Sequence, residues 1–136
     1  VLWKNSRVKL SSQYLGGDGP LDKTSITTGS WQSGVYFDDG TAKPAARSFL
    51  NPFWIDLPHH FRQATVWGQL RPGSQTEVKV QARAVGLARY LALRTVNTNR
   101  YGYFSFKALV KVKRAFRFYY GTDAIVTSSV RTVEPS

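Results

Sequence analysis

Acidic side chains are the first candidates for chemistry in this chain. Two carboxyl groups that face one bond about 5 to 10 Å apart can hydrolyse a glycosidic bond. The chain contains only two glutamates, Glu77 and Glu134. The other acidic candidates lie in segments that have no regular spacing of apolar residues. They are Asp18, Asp22, Asp38 and Asp39. Aspartate in such segments ordinarily serves as a turn residue. We therefore expect no catalytic carboxylate pair within these residues.

Histidine is the other side chain that could bind a metal or act as a base, and the only two histidines are adjacent, at His59 and His60. In an extended segment adjacent side chains point to opposite sides, so this pair is not arranged to chelate, and no third ligand is evident. The chain has no cysteine, which excludes thiolate ligands, a cysteine nucleophile and disulfides. The sequence predicts no metal site and no cofactor.

The elements that would position any site are mostly strands, and the clearest lie between Gly102 and Gly121. Apolar residues at the even positions from Phe104 to Val112 alternate with polar ones, and the alternation resumes from Phe116 to Tyr120. Period-two alternation predicts a strand with one buried and one wet face. The polar Lys113-Arg114 between the two strands is where we expect the chain to turn a corner.

Turn signals recur from Gln63 onward at the spacing typical of a β-sandwich. They delimit further predicted strands at residues 64–70, 77–85, 89–96 and 125–133. In the third of these the pattern leaves open whether Leu91 and Leu93 or Tyr90 and Ala92 face the core. The predicted fold class is mainly β, an antiparallel sandwich.

A short strand, turn and helix are predicted before the sandwich. Ser33–Phe37 is a candidate strand that runs into a glycine turn at Asp38-Asp39-Gly40. Thr41–Leu50 is the one credible helix, because Pro44 falls in its first turn, where a missing N–H costs nothing. The nearby aromatic residues Phe49, Phe53 and Trp54 are the expected surface against which this helix packs.

Positive charge is distributed unevenly along the chain, whose net charge is +11. Residues 1–60 hold six Lys and Arg against five Asp, whereas residues 61–136 hold thirteen against three acidic groups. This difference predicts two modules, at residues 1–57 and 64–136. Residues 58–63 are the expected linker, since Leu57-Pro58 favours an extended chain.

The first module resembles the closing segment of bacterial glycoside hydrolases that have a (β/α)8 barrel. The resemblance is carried by GSWQSGVYFDDGTAKPAARSFLNPF at residues 29–53, with GTAKPA as its most specific part, and by RVKLSSQYLGGDGP at residues 7–20. It implies the last strand, loop and helix of a barrel. In such enzymes the two catalytic glutamates lie upstream of where this chain begins, so the resemblance implies no catalytic residue here. Trp31 and Tyr14 are the positions it offers for stacking on a sugar, or alternatively for filling the barrel floor.

The second module resembles the immunoglobulin-like accessory domains of bacterial exported enzymes. The matching motifs are a strand opened by Gly102-Tyr103-Phe104, the string FRFYYG at residues 116–121, and the closing SSVRTV at residues 128–133. Phe116 stands where those domains usually have a tyrosine, which removes the hydroxyl of a tyrosine corner. The resemblance implies an architecture and no activity.

Cations on the polar parity of the predicted strands form an expected basic face. Its members are Lys79, Arg83, Lys107, Lys111, Arg117 and Arg131. Such a face could attract acidic cell-wall polymers, uronate-bearing glycans or nucleic acid. An ordinary solvated face is the simpler interpretation, because a wet strand face must be polar in any case. Nucleic acid is the least favoured partner, since the aromatic residues that stack on bases fall mostly on the opposite parity.

Taken together, the sequence predicts a non-catalytic C-terminal fragment of a secreted or cell-surface bacterial glycoside hydrolase-like protein. The sandwich would brace the barrel or position it on polysaccharide, and the missing N-terminal barrel portion would be a partner. The alternative is an independent carbohydrate- or polyanion-binding β-module that acts through its basic face.

The ends and the composition of the chain fit a fragment. The chain starts at Val1 and has no methionine, which indicates a processed or excised piece. It has no apolar run near 18 residues and no basic-then-apolar leader, so we expect neither a transmembrane segment nor a signal peptide in these residues.

Overall fold

The structure is a computed structural model, and it describes residues 16–19, 32–122 and 125–136. The chain divides into two compact units, Val1–Ala46 and Arg47–Ser136, and each is described by itself below.

In the first unit, isolated β-bridges and backbone hydrogen bonds connect the described segments. Tyr36 forms a parallel bridge with Gly17 and an antiparallel bridge with Ala42. The predicted strand at Ser33–Phe37 is therefore reduced to isolated bridges. The predicted turn is present, because the Gly40 N–H donates to the Phe37 carbonyl at 3.0 Å and Gly40 has a φ of 82°. That left-handed φ is one that glycine adopts without strain.

The helix α1 spans Pro44–Leu50. It begins at the proline rather than at Thr41, because proline is well suited to the first helical position, where its lack of an N–H leaves no bond unmade. The Asn51 N–H donates to the Arg47 carbonyl at 2.9 Å and closes the last turn. A short helix followed by Asn51-Pro52 agrees with the sequence prediction.

Within the part of the chain that the structure describes, eight strands follow the helix and form two antiparallel sheets. The three-stranded sheet has the order β1-β2-β5, and its strands are β1 Phe53–Asp56, β2 Gln63–Gln69 and β5 Tyr103–Leu109. The five-stranded sheet has the order β4-β3-β6-β7, with β8 also paired to β6. Its strands are β3 Glu77–Ala84, β4 Leu91–Asn97, β6 Arg114–Tyr120, β7 Val126–Thr127 and β8 Arg131–Val133.

The two sheets pack face to face through one apolar core. Phe118 of β6 meets Phe53 of β1 and Phe104 of β5 edge-on, with ring centroids 5.2 Å apart in each case. Val66 and Val78 are fully buried in the same cluster. The prediction of a mainly β antiparallel sandwich is confirmed, and the chain crosses from one sheet to the other between β5 and β6, at the predicted corner.

The sandwich begins earlier than the sequence suggests. Phe53–Asp56 was expected to belong to the preceding segment, yet it pairs with β2 through the whole register from Phe53 opposite Gly68 to Asp56 opposite Thr65. Most of the expected linker, residues 58–63, belongs to the hairpin loop 57–62 between β1 and β2, in which the Phe61 N–H donates to the Pro58 carbonyl, and Gln63 begins β2. Phe53 and Ile55 supply core side chains, and this burial is what draws the segment into the sheet.

The last predicted strand is divided in two at Ser128. This buried serine accepts a hydrogen bond from the Phe118 N–H at its hydroxyl, and its own N–H donates to the Phe118 carbonyl, both at 2.9 Å. Because the side chain takes a place that a backbone partner would fill in a regular ladder, β7 ends before it and β8 begins after it.

Candidate functional site

The outer face of the five-stranded sheet carries three of the six cations predicted for the basic face. Lys79 and Arg83 alternate along β3 with the buried Val80 and Ala82, so they point away from the core. Arg117 of β6 lies opposite Gln81 of β3, on that same outer side.

Tyr90 lies between two of these cations. The Arg117 guanidinium is 4.0 Å from the centroid of the Tyr90 ring, and the Arg83 guanidinium is 5.0 Å from it. The Arg117 Nε–H also donates to the Gln81 side-chain oxygen at 3.0 Å. We call Lys79, Arg83, Tyr90 and Arg117 the cationic face. The sequence left open whether Tyr90 or Leu91 faces the core, and the structure places Tyr90 just before β4, among the charges.

Lys107 and Lys111 do not belong to the cationic face. Lys107 is on the outer side of β5 in the three-stranded sheet, where its ammonium donates to the Thr65 hydroxyl at 2.6 Å. Lys111 follows the end of β5. Alternation within a strand tells which residues share its wet side, but it does not tell which of the two sheets the strand joins. The predicted single face is therefore spread over two opposite faces.

The prediction that Arg131 belongs to the basic face is also wrong, because Arg131 is on the inner side of its strand. In the register of β6 and β8 it lies opposite Phe116, a core residue. Its Nε–H donates to the Phe53 carbonyl of β1 at 2.8 Å, and its guanidinium is 5.7 Å from the Trp54 ring. Arg131 thus joins the edges of the two sheets, and the division of the predicted strand at Ser128 accounts for its change of side.

The outer face of the three-stranded sheet carries a row of aromatic side chains that the sequence analysis missed. Trp54 of β1 lies directly opposite Trp67 of β2. The Trp67 ring is 5.7 Å from the Tyr103 ring of β5, at an interplanar angle of 43°. We call Trp54, Trp67 and Tyr103 the aromatic face. The available signal is the alternation of Trp54 with Phe53 and Ile55, which is typical of a strand, although the neighbouring helix made Phe53 and Trp54 the expected packing surface for that helix.

The predicted sugar-stacking residues Trp31 and Tyr14 lie outside the described residues. Asp18 of the same unit is described, and its side chain is buried beside Lys43. Its Oδ1 atom accepts from the Lys43 ammonium at 2.7 Å and from the Gly34 N–H at 3.0 Å. The Lys43 ammonium donates in addition to the Gln32 carbonyl at 3.0 Å. This arrangement makes Asp18 a structural carboxylate that ties its loop to the turn before the helix.

Asp39 is the turn residue that the sequence predicted. Its carboxylate accepts from the hydroxyl of Thr41 at 2.6 Å and from the N–H of the same residue at 2.8 Å. These hydrogen bonds, with the hydroxyl contribution the largest, lower the pKa of Asp39 from its ordinary value of 3.8. A carboxylate stabilised in its charged form is a poor proton donor, so Asp39 is not suited to general acid chemistry.

The two histidines contact each other, contrary to the expectation that they point apart. Their ring centroids are 4.0 Å apart with the planes at 87°. His60 has a φ of 64° rather than an extended backbone, which brings its ring back onto that of His59. Within residues 16–19, 32–122 and 125–136, no group of three His, Asp or Glu side chains could hold a metal ion.

Comparisons with known proteins leave the function to be argued from this geometry. No protein-family profile, curated protein or solved structure matches the chain. In the part of the chain that the structure describes, no helix has both the length and the apolar character needed to cross a membrane.

Proposed function

We propose that this chain is the non-catalytic C-terminal part of a secreted or cell-surface bacterial glycoside hydrolase-like protein. In this proposal the sandwich positions the catalytic portion of the parent protein on polysaccharide. The motifs at residues 7–20 and 29–53 motivate the link to a barrel enzyme, and the aromatic face motivates the binding role.

The aromatic face is the single observation that carries the proposal. Trp54 and Trp67 are half-buried cross-strand neighbours, and Tyr103 beside them is 39% exposed. Aromatic rings combine a large apolar surface with a fixed geometry, and they suit the apolar faces of pyranose rings. Lys107 and Thr65 lie on the same outer side and could supply hydrogen-bond donors to sugar hydroxyls.

The acidic residues support a non-catalytic role. Asp18 is engaged by Lys43, and Asp39 by Thr41. Glu77 and Glu134 are exposed, and their ion-pair partners are Lys79 and Lys113. The hydrogen bonds from Thr41 lower the pKa of Asp39, which is the opposite of what a general acid for glycoside hydrolysis requires.

The proposal is tested by titrating the chain with soluble neutral polysaccharides, such as cellulose- and xylan-derived polymers, at low and high salt. We expect binding that salt leaves unchanged, because stacking does not depend on ionic screening. Replacing one anchor, Tyr103→Ala or Trp67→Ala, should weaken the affinity about tenfold, since a central aromatic contact commonly contributes more than 1 kcal/mol.

Phe61→Ala is the matched control for these aromatic substitutions. Phe61 is 62% exposed and lies in the β1–β2 loop, outside the aromatic face. Its replacement should leave the affinity within about twofold. Equal losses for Phe61→Ala and Tyr103→Ala would show that the aromatic face has no special role.

If no neutral polysaccharide binds, the proposed role of the sandwich becomes bracing the barrel of the parent protein rather than positioning it on polysaccharide. Removing residues 53–136, which begin at β1 and leave helix α1 intact, should then lower the melting temperature of the remaining portion of the parent protein. A parent protein that melts at an unchanged temperature, together with no binding, would overturn both forms of the proposal.

A second candidate function is binding of acidic glycans or cell-wall polymers through the cationic face. The observation that favours it is the convergence of Arg83 and Arg117 on Tyr90, with Lys79 on the same side. Here the affinity should fall as salt rises, and Arg117→Gln should weaken binding several-fold. Lys107→Gln, on the opposite face, removes the same charge and should have a smaller effect.

A further inference from the structure

A pocket of about 260 Å³ lies at the end of β3, beside the start of β4. Its floor includes Ala82 and Ala84, which are on the inner parity of β3, and its walls include Leu87, Leu91 and Leu93. The alanines leave room that larger core residues would fill. Leu87 and Leu91 are each 61% exposed, so apolar surface borders the opening. The pocket therefore presents apolar surface at its lining and at its opening.

Three arginines line the same pocket, and no acidic residue lines it. They are Arg83 at the end of β3, Arg89 in the loop before β4, and Arg114 at the start of β6. The Arg83 guanidinium also donates to the Leu87 carbonyl, which holds it beside the pocket. An anion in the pocket would complement the positive charge of these arginines.

We propose that this pocket binds a small amphipathic carboxylate. The apolar body of the ligand would lie on the alanine floor between the leucines, and its carboxylate would accept hydrogen bonds from the Arg89 and Arg114 guanidiniums. Arginine is the side chain best suited to this task, because its planar fork can hold both carboxylate oxygens. The volume lies below the range of about 300 to 1,000 Å³ that is usual for drug-sized ligands, so a single-ring molecule is the appropriate size.

This site is separate from the aromatic face of the proposed function. Of the three arginines that line the pocket, only Arg83 also belongs to the cationic face. Substitutions at Arg89 and Arg114 therefore test the pocket alone.

The experiment is an NMR titration of the ¹⁵N-labelled chain with benzoate and, in parallel, with benzamide, its neutral isostere. Benzoate should produce saturable shifts centred on the amides of Leu87, Leu91 and Leu93. The affinity for benzamide should be at least about tenfold lower, because benzamide lacks the charge that strengthens a hydrogen bond to arginine. Equal binding of the two probes, or shifts located elsewhere on the chain, would overturn the proposal.

Two variants locate the charge that recognises the probe. Arg114→Gln and Arg89→Gln should each reduce the affinity for benzoate about tenfold. Arg100→Gln removes one positive charge from the loop between β4 and β5, outside the pocket and both named faces, and should leave the affinity within about twofold. Arg89 is exposed in a loop, so its variant folds even if Arg114→Gln is destabilised. Equal losses for Arg100→Gln and Arg89→Gln would reduce the effect to general electrostatic attraction and overturn the site.

Discussion

The outer face of the three-stranded sheet and that of the five-stranded sheet lie on opposite sides of one core, and they carry different side chains. The first presents Trp54, Trp67 and Tyr103, and the second presents Lys79, Arg83 and Arg117 around Tyr90. Both are produced by the same period-two alternation, which requires only that the side facing the core be apolar. The chemistry of the other side is therefore free to differ, and here one face is suited to uncharged rings and the other to anions.

The comparison also shows how the strands of one sheet are assembled from distant parts of the chain. The aromatic face combines residues of β1, β2 and β5, whereas β3 and β6 supply the charges of the cationic face. Arg131 holds the two sheets together at one edge through the Phe53 carbonyl. Each face can therefore be altered on its own, while the core and this edge contact affect both.

The largest effect is expected from Phe118→Ala, which removes the ring that both Phe53 and Phe104 contact. We expect the free energy of unfolding to fall by about 3 to 5 kcal/mol, the usual cost of emptying a buried aromatic site. Both faces should lose their order together, since they share this core. Chemical denaturation measures the change. Tyr119→Ala, the neighbouring residue on the outer side, should cost less than about 1 kcal/mol, and a larger cost at Tyr119 than at Phe118 would contradict the assigned faces.

Gly68→Ala should disturb the three-stranded sheet next. A methyl group at Gly68 would overlap the Phe104 ring and lie 3.2 Å from a ring carbon of Phe118. We expect a loss of about 1 to 3 kcal/mol in the free energy of unfolding, as is usual for overpacking. The added substitution Phe104→Leu should recover part of this loss, because the two positions share one space. Additive effects in the double variant would show that the clash is absent.

Arg131→Met should weaken the edge that joins the two sheets. It removes the donor to the Phe53 carbonyl and the contact with Trp54, and about 1 kcal/mol of stability should be lost, typical of one such hydrogen bond. Arg100→Met is the control, since Arg100 lies over the Tyr101 ring in a loop between β4 and β5. If both variants lose the same amount, the hydrogen bond to Phe53 contributes nothing.

The smallest effect is expected from the alkaline titration of Tyr120. Burial raises the pKa of its hydroxyl above the ordinary value of 10.0, and a hydrogen bond with Asn51 offsets part of the rise. The folded chain keeps this proton longer than the unfolded chain, so the associated stability is present below pH 10.0 and is lost as pH rises through the folded pKa. When the folded chain is titrated with alkali, tyrosinate absorbance should show an ionisation step above pH 10.0 that is absent in the Tyr120→Phe variant. A Tyr120→Phe variant with an unchanged ionisation step would assign it to another tyrosine.

Much of the fold follows from local patterns in the sequence. The alternation from Phe104 to Val112 and from Phe116 to Tyr120 gave strands β5 and β6, and Pro44 marked the start of the helix. The same patterns missed β1, because four residues are too short for alternation to outweigh a neighbouring helix signal. They also missed the break at Ser128, where a buried side chain replaces a backbone partner.

The sequence by itself determined that this is a mainly β chain with a helix before its strands, and it determined which side of β3, β5 and β6 is wet. These properties depend on the spacing of apolar residues along each strand, which is a local quantity. Only the tertiary structure decided that Lys107 lies opposite the cationic face, that Arg131 turns to the Phe53 carbonyl, and that Trp54, Trp67 and Tyr103 form one row. Those outcomes depend on which strands pair and in which register, and that pairing is set by the burial of the whole core rather than by any one segment.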